Sequence, residues 1–206
     1  MFLFSEFEPI PHDEPGPMQL EPLAISDVKV LKAERFFDNR GLFCESYNKR
    51  ELRELGIDID FVQDNHSVSK HAGTVRGLHF QIPPFAQDKL IRVVRGRIFD
   101  VAVDIRRGSS TFGGFVAAEI SAEAWNQMFI PKGFAHAYCT LEDGTEVIYK
   151  TSNYYAPRHE RGILWNDPDL KINWPLDEDQ AIVADRDRKF PRLRDAADLF
   201  VYASSE

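Results

Sequence analysis

The sequence predicts an all-β fold, a sandwich or barrel of short strands with a few short peripheral helices. Short predicted strands follow one another in quick succession between residues 60 and 153. Turns rich in glycine and proline separate them, for example Gly113-Gly114, Pro131-Lys132-Gly133 and Asp143-Gly144. Many short strands at this spacing are typical of sandwiches and barrels.

The first elements can be assigned in chain order. Residues 1–24 are acidic and rich in proline, which predicts an extended or partly disordered N-terminal arm. Residues 36–41 end in Asn-Arg-Gly and are expected to form a turn. Asn48 is expected to cap a short helix over residues 49–55, which Gly56 ends. The predicted strands cover residues 25–33, 42–47, 60–67, 74–81, 89–94, 97–106, 115–121, 126–131, 135–141 and 146–153.

The middle and the end of the chain complete this assignment. Arg95-Gly96 predicts a hairpin, and alternation over residues 97–106 predicts a half-buried strand as its second arm. Residues 157–174 show no periodic pattern, and the charged tail from Asp177 has room for one or two short helices. Because no repeat or linker divides the chain, residues 25–206 are expected to form a single domain with a C-terminal tail.

Composition limits the function classes. The chain has 206 residues and 43% hydrophobic content, which suits one core. A net charge of -8 argues against nucleic acid as a partner. Cys44 and Cys139 form no CxxC pair, so free thiols in a reducing compartment are expected. The first residues resemble no signal peptide and no apolar run reaches about 18 residues, so a cytoplasmic protein without a membrane partner is expected.

The strongest chemical signal is the segment Arg76-Gly77-Leu78-His79-Phe80-Gln81, followed by Lys89. It combines cations with histidine, the side chain whose ordinary pKa lies nearest neutrality. Arg76 and His79 would face opposite sides of a regular strand. A bulge at Gly77 would bring them to the same side.

Other residues could complete an acid–base site. Tyr149 lies on a predicted strand, and its phenol could donate a proton into the same cavity as His79 if both strand faces point inward. Otherwise it is a half-buried strand tyrosine. Asp100, Asp104 and Asp187 are candidates for orienting a histidine, and spacing does not choose among them.

Metal and nucleotide motifs give little support to other chemistry. Cupin-type metal sites commonly use a His-x-His pair, whereas His66, His71, His79 and His136 stand singly. A site assembled from distant ligands stays open as a weaker alternative. The sequence contains no GxGxxG, Walker or GxSxG motif.

At these residues the chain resembles the dTDP-4-dehydrorhamnose 3,5-epimerase family. The resemblance covers about residues 25–191 and is specific because eight segments occur in the family's order. These are Phe-Phe-Asp-Asn-Arg-Gly-Leu-Phe-Cys-Glu-Ser-Tyr (36–47), Phe-Val-Gln-Asp-Asn-His-Ser (61–67), Arg-Gly-Leu-His-Phe-Gln (76–81), Gln-Asp-Lys-Leu-Ile-Arg-Val (87–93), Phe-Asp-Val-Ala-Val-Asp-Ile-Arg (99–106), Pro-Lys-Gly-Phe-Ala-His-Ala (131–137), Glu-Val-Ile-Tyr-Lys (146–150) and Ile-Leu-Trp-Asn-Asp-Pro (163–168).

The resemblance implies a cupin-like jelly roll that works as a homodimer without a metal or other cofactor. It implies a dTDP-linked 4-keto-6-deoxyhexose as substrate and inversion at C3 and C5. By position, His79 matches the catalytic base, Asp187 its partner, Tyr149 the proton donor and Lys89 the cation beside the ketone. The positions that match the substrate pocket are Phe36, Arg40, Glu45, Gln63, Asn65, Arg76, His136 and Tyr155, with Arg40 and Arg76 at the diphosphate.

Three departures from the family pattern leave alternatives open. Cys44 and Ala137 stand where an aromatic residue and a glycine are expected, and the proline-rich start is unusually long. The alternatives are an epimerase that inverts one carbon, a keto-isomerase, and a barrel that binds a nucleotide sugar without turning it over. A base, a cation and an acid together favour an enzyme over a binding module. The N-terminal strand is expected to help form the dimer.

Overall fold

Strands dominate residues 18–202, the part of the chain that the computed structural model describes. They are β1 (Gln19–Glu21), β2 (Lys29–Lys32), β3 (Phe36–Asp38), β4 (Gly41–Phe43), β5 (Gln63–Ser69), β6 (Thr74–Gln81), β7 (Lys89–Arg95), β8 (Arg97–Asp104), β9 (Arg106–Arg107), β10 (Phe115–Ser121), β11 (Asn126–Ile130), β12 (Phe134–Thr140), β13 (Thr145–Thr151), β14 (Glu160–Gly162), β15 (Ile182–Val183) and β16 (Phe200–Val201). The helices are α1 (Lys49–Glu54) and short 3-10 turns at Pro157–His159, Glu178–Gln180, Asp187–Lys189 and Leu193–Asp195.

Two antiparallel sheets pack face to face. The first has the strand order β1-β2-β11-β7-β13-β5, and the second has the order β10-β8-β12-β6-β14 with β15 added in parallel to β6. Side chains from both sheets fill the space between them, including Val30, Ile91, Met128 and Val147 from the first and Ile98 from the second. The predicted all-β sandwich is therefore confirmed.

The connection between β7 and β8 differs from the prediction. Residues 95–96 were expected to close a hairpin, but β7 pairs with β11 and β13 whereas β8 pairs with β10 and β12. Gly96 instead turns the chain from one sheet into the other. This corner packs so closely that a Cβ on Gly96 would lie 2.5 Å from Thr145 Oγ1. The expectation that β8 is half-buried is also wrong, because neighbours cover both faces and Asp100 and Asp104 are fully buried.

The short helix and the strands beside it follow the sequence pattern in part. Asn48 caps α1 as predicted, since its side chain accepts bonds from the amides of Arg50 and Glu51. The predicted turn over 36–41 contains two strands, β3 and β4, because only its central residues turn, and the strand expected over 42–47 ends at Phe43. The segment 157–174 contains β14, whose register on β6 comes from tertiary pairing rather than from a local pattern.

The N-terminal arm lies mostly outside the described residues. The prediction for 1–17 therefore stays a prediction. Within the described part of the predicted arm, Met18 is buried and β1 pairs with β2, where Leu20 lies opposite Leu31.

A bulge in β6 places the residues that matter most for the site. On β12, His136 pairs with His79 and Tyr138 pairs with Arg76, so two residues of β6 lie opposite the single residue Ala137. Gly77 provides this bulge with φ +127°, a conformation that residues with a side chain rarely adopt. Arg76 and His79 consequently reach the same side of the sheet, as the sequence predicted.

Replacing Gly77 with alanine is expected to destabilise the protein by about 3 kcal/mol or more. A Cβ there would lie 2.4 Å from the Ala137 Cβ and 2.5 Å from the His136 carbonyl oxygen, and the backbone would be strained as well. Urea unfolding measures the loss. Gly108→Ala is the matched control, because Gly108 also has positive φ, at +90°, but nothing within 4 Å of the new Cβ. That variant should lose only about 1 kcal/mol, and equal losses would contradict the steric argument.

Candidate active site

A cavity of about 690 Å³ lies between the two sheets. Strands β5, β7 and β13 of the first sheet and β6 and β12 of the second contribute to its wall, together with β14 and the C-terminal tail. Eight of the predicted site residues line it: Asn65, Arg76, His79, Lys89, His136, Tyr149, Tyr155 and Asp187. Residues from four well-separated parts of the sequence thus meet in one place.

His79 and Asp187 form a hydrogen-bonded pair. Nε2 of His79 lies 2.9 Å from Oδ1 of Asp187, and the Gly77 amide donates to Oδ2 at 3.3 Å. Burial alone would raise the pKa of Asp187, but its bonds to His79 and to the Gly77 amide hold that pKa below its ordinary value. The Phe190 ring packs edge-on against the imidazole, with ring centroids 5.6 Å apart. Asp187 is therefore the aspartate that orients His79.

Lys89 is a buried cation next to this pair. Its Nζ donates a long bond of 3.4 Å to the His79 carbonyl oxygen, and only 9% of the residue is exposed. Burial lowers the pKa of Lys89 to about 8, although the negative charges of Asp100 and Glu160 oppose the change. At neutral pH the ammonium is thus mostly protonated but poorly satisfied, which suits it to meet a negative charge in the cavity.

The pH dependence of activity is expected to show the titration of Lys89. Above pH 8 its amine becomes neutral and can no longer stabilise negative charge, so kcat/KM should fall with an alkaline limb near 8. Burial raises the pKa of the Tyr149 phenol above its ordinary value of 10, so Tyr149 would give a limb at higher pH. Initial rates from pH 5 to about 11 test this. In Lys89→Arg the limb should move upward, and an unmoved limb would contradict the assignment.

Tyr149 lies in the wall opposite His79. It is on β13 of the first sheet, paired with Asn65 of β5, whereas His79 is on β6 of the second sheet. Burial raises the pKa of its phenol, which therefore keeps its proton at neutral pH. The two sheets accordingly present a base and a protonated phenol to one cavity, as the sequence predicted if both faces pointed inward.

His136 and Asp100 form a second buried pair. Nε2 of His136 lies 2.6 Å from Oδ1 of Asp100, and burial lowers the pKa of His136. Asp100 therefore orients His136, while Asp104 binds Arg106, Ser109 and Thr111 instead of a histidine. The three aspartates that the sequence left as alternatives are thereby assigned to three different partners.

Further polar residues line the cavity and the pocket that adjoins it. The Gln63 amide group bonds to the Asn65 side chain at 3.0 Å and to the Tyr155 backbone amide at 3.0 Å. Gln63 itself lines an adjoining pocket of about 80 Å³. Arg76 makes only long bonds of 3.4 Å, to Ser69 Oγ and the Val68 carbonyl. No carboxylate in the described part of the chain pairs with it, so its guanidinium is available to an anion.

Three predicted residues line neither this cavity nor the adjoining pocket. Phe36 and Arg40 belong to the β3–β4 ribbon, and Glu45 follows it. The Arg40 side chain is 86% exposed and pairs with Asp38, while Glu45 accepts a bond from Asn48. Within one chain, these residues are therefore not brought to the site.

Among the cavity-lining residues that sequence reasoning missed are Ser67, Tyr138, Glu160 and Arg186. Tyr138 could have been found, because it lies two residues after His136 on the same face of β12. Its hydroxyl lies 2.8 Å from Ser67 Oγ. Glu160 gave no local signal, since it lies in the segment predicted to be irregular.

Clusters suited to a metal ion and helices suited to a membrane are both absent from residues 18–202. No group of three or more His, Cys, Asp or Glu side chains in this range could hold a metal ion. No helix in it is long and apolar enough to cross a membrane. Cys44 and Cys139 are both free thiols.

The fold and the site define a class: a cupin-like jelly roll whose cavity holds an oriented histidine, a buried lysine and a protonated tyrosine. The model of the dTDP-4-dehydrorhamnose 3,5-epimerase family matches residues 22–195. The chain belongs to this family, and the predicted resemblance and the cupin-like fold are confirmed.

Relatives of known structure or function support the assignment over nearly the whole chain. The dTDP-4-dehydrorhamnose 3,5-epimerase of Pseudomonas aeruginosa is 50% identical over 180 residues, which are 87% of this chain and 98% of the relative. The dTDP-6-deoxy-D-glucose-3,5-epimerase of Legionella pneumophila Philadelphia 1, solved with dTDP-4-keto-L-rhamnose, has a TM-score of 0.86 and 40% identity, covering 91% of this chain and 100% of its own. A 3'-monoepimerase from Streptomyces bikiniensis, solved with dTDP-quinovose, has a TM-score of 0.78 and 34% identity, covering 84% and 87%.

Proposed function

We propose that the protein converts dTDP-4-dehydro-6-deoxy-D-glucose to dTDP-4-dehydro-L-rhamnose, in the biosynthesis of L-rhamnose or a related deoxysugar. The observation that carries this is the convergence of the His79–Asp187 pair, Lys89 and Tyr149 on one cavity. Carbons 3 and 5 of the sugar both flank the 4-ketone, so their protons are acidified. A base, an acid and a cation are the groups that inversion at such carbons requires.

His79 is the proposed base. The carboxylate of Asp187 can only accept a hydrogen bond, so Nε2 of His79 carries the hydrogen and Nδ1 keeps the lone pair. Nδ1 would remove the proton from C3 or C5 and leave an enolate. Asp187 would then stabilise the imidazolium that forms, as a buried carboxylate does for a catalytic histidine elsewhere.

Lys89 and Tyr149 complete each inversion. The Lys89 ammonium, desolvated by the barrel walls, would stabilise the negative charge that grows on oxygen 4 of the sugar. Tyr149, from the opposite sheet, would return a proton to the other face of the carbon. Repeating the cycle at the second carbon gives the double epimer.

Arg76 is the proposed diphosphate ligand within the chain. Its guanidinium lines the cavity and has no carboxylate partner in the described residues, so it is free to bind phosphate oxygens in a bidentate manner. Because the diphosphate is remote from C3 and C5, this binding energy serves to position the ring. Gln63, Asn65, His136 and Tyr155 would contact the nucleoside and sugar.

A homodimer is proposed to complete the site. The β3–β4 ribbon pairs with no other strand of the described chain, and two strands alone are marginally stable. Phe43 on this ribbon is 68% exposed in the single chain, and such an exposed aromatic residue suits a surface that a second copy covers. We infer that this ribbon reaches a second copy and brings Phe36 and Arg40, with the following Glu45, to that copy's cavity.

Mixing two inactive variants tests the shared site. His79→Asn and Arg40→Ala subunits, refolded together, should recover up to about a quarter of wild-type activity, since half of the dimers would contain one intact site of two. Light scattering should give about twice the chain mass of 23.7 kDa. A monomer, or a mixture without recovered activity, would contradict the proposal.

We further propose that no metal or redox cofactor takes part and that the enzyme is cytoplasmic. The ketone itself acidifies the reacting carbons, and side chains supply the base, the acid and the positive charge. The two free thiols support a reducing compartment. Undiminished turnover after dialysis against EDTA would support metal independence, and restoration by an added divalent ion would contradict it.

A single-carbon epimerase is the second candidate, because a solved 3'-monoepimerase shares the fold. Incubation of the protein with dTDP-4-dehydro-6-deoxy-D-glucose, followed by NMR of the products, decides between them. The proposed function requires a product inverted at both carbons. Accumulation of a product inverted at C3 alone would favour the second candidate, and an unchanged but bound sugar would favour a binding barrel.

A further inference from the structure

Arg186 links the His79–Asp187 pair to the rim of the cavity. Its Nε donates to Asp187 Oδ1 at 3.2 Å, and this is the same oxygen that lies 2.9 Å from Nε2 of His79. Its two terminal nitrogens form a bidentate pair with Glu160, at 2.8 and 3.0 Å. One guanidinium therefore spans Asp187 and Glu160.

We propose that Arg186 is a positioning residue for the His79–Asp187 pair. Arg186 fixes the Asp187 carboxylate against the imidazole. Because it also bonds to Oδ1, it reduces the stabilisation that this carboxylate gives to a protonated His79. The inference rests on the proposed function, in which His79 must be unprotonated to act as the base.

The anchoring part of the inference follows from where each partner is attached. Asp187 begins a 3-10 turn of only three residues in the tail, and its other bond, from the Gly77 amide, is long at 3.3 Å. Glu160 begins β14, which pairs with β6, the strand that carries His79. The Tyr155 hydroxyl also donates a hydrogen bond to Oε2 of Glu160 at 2.9 Å. Arg186 thus ties the tail residue Asp187 to the sheet that positions its histidine.

The electrostatic part follows from the shared oxygen. Arg186 and the His79 imidazole both bond to Oδ1 of Asp187. The positive charge of Arg186 repels the positive charge that His79 would gain on protonation, so Arg186 favours the unprotonated base. Other ionisable groups line the cavity around His79: Arg76 on its own strand, Lys89 on β7, His136 and Tyr138 on β12, Tyr149 on β13, Tyr155 after it and Glu160 on β14. Of the three cavity-lining cations Arg76, Lys89 and Arg186, Arg186 is the one that bonds to the carboxylate of the pair.

Two substitutions separate charge from anchoring. Arg186→Gln removes the positive charge but keeps an amide donor. Arg186→Lys keeps the charge but lacks the planar fork that binds Glu160 through two nitrogens while Nε donates to Asp187. Arg188→Gln is the matched control, because Arg188 lies on the 3-10 turn that Asp187 begins and its side chain donates to the Ala181 carbonyl rather than to a carboxylate. The measurements are the pH dependence of kcat/KM and the NMR titration of the His79 ring proton in resting enzyme, assigned with His79→Asn.

In Arg186→Gln, the acid limb of kcat/KM and the ring-proton titration should both move upward by about half a pH unit. Activity on the acid side would fall roughly three-fold as a result. Arg186→Lys should keep both midpoints near the wild-type values while losing part of kcat, and Arg188→Gln should match the wild type throughout.

The outcomes distinguish this inference from the proposed function. An unmoved ring-proton titration in Arg186→Gln, shown by urea unfolding to be folded, would overturn the role of Arg186 whatever the activity of the wild type. If Arg186→Gln did not fold, the His79 ring-proton titration in Arg186→Lys would serve instead. A shift of about half a pH unit from the wild type in that variant would overturn the role of Arg186. A wild type that fails to convert the sugar would overturn the proposed function alone, because the titration needs no turnover.

Discussion

Replacing His79 with asparagine is expected to lower kcat by about a thousand-fold, within the hundred- to ten-thousand-fold range of general-base catalysis. Asparagine keeps an amide that can still bond to Asp187, but it offers no group that can take a proton from carbon. Proton abstraction from C3 and C5 should fail together, because the proposed mechanism uses the His79 imidazole for both steps. The variant should still bind the nucleotide sugar, since Arg76 and the residues of β5 are unchanged.

Deuterium incorporation and binding by calorimetry measure these two effects separately. His66→Asn is the matched control, because His66 is an exposed histidine paired with Glu146 outside the cavity. It should retain wild-type turnover. If His79→Asn still exchanged protons at either carbon at more than about a tenth of the wild-type rate, another base would have to act there.

The second large effect is expected for Tyr149→Phe. Removing the hydroxyl leaves the base in place but removes the proposed proton donor, so net epimerisation should fall by about a hundred-fold or more. Exchange of the C3 and C5 protons with solvent should continue, since His79 can still form the enolate and return a proton to the same face. This separation of exchange from inversion is the specific sign of a donor on the opposite wall.

The control for this prediction is Tyr154→Phe. Tyr154 is 62% exposed and does not line the cavity, so its loss should leave both rates unchanged. Should Tyr149→Phe abolish exchange as completely as His79→Asn, the phenol would be needed for proton abstraction, and its role as returning acid would be wrong.

Local patterns in the sequence predicted much of this architecture. The succession of short strand segments and turns located β6 to β8 and β10 to β13, and the Asn48 cap located α1, because both signals depend on neighbouring residues. The sequence also allowed the bulge at Gly77 to be foreseen, since glycine tolerates the required φ. The sheet crossing at Gly96 was missed, because pairing partners far along the chain decide it.

The same distinction applies to the site. The chemical types of His79, Lys89 and Tyr149 suggested their roles, and the family resemblance supplied Asp187 across 108 residues of sequence. Glu160 and Arg186 could not be found in this way. Their importance arises from contacts between β14 and the tail, which no local periodicity records. Residues of the β3–β4 ribbon matched the family pattern, yet they lie outside the cavity of their own chain.

Proton NMR of dTDP-4-dehydro-6-deoxy-D-glucose with the wild-type enzyme in deuterium oxide tests the central claim most directly. If His79 removes protons next to the ketone and Tyr149, in equilibrium with solvent, returns them, the product should carry deuterium at both C3 and C5. Deuterium at C3 alone would contradict double inversion. A bound sugar that retains protium at both carbons would contradict the acid–base site itself.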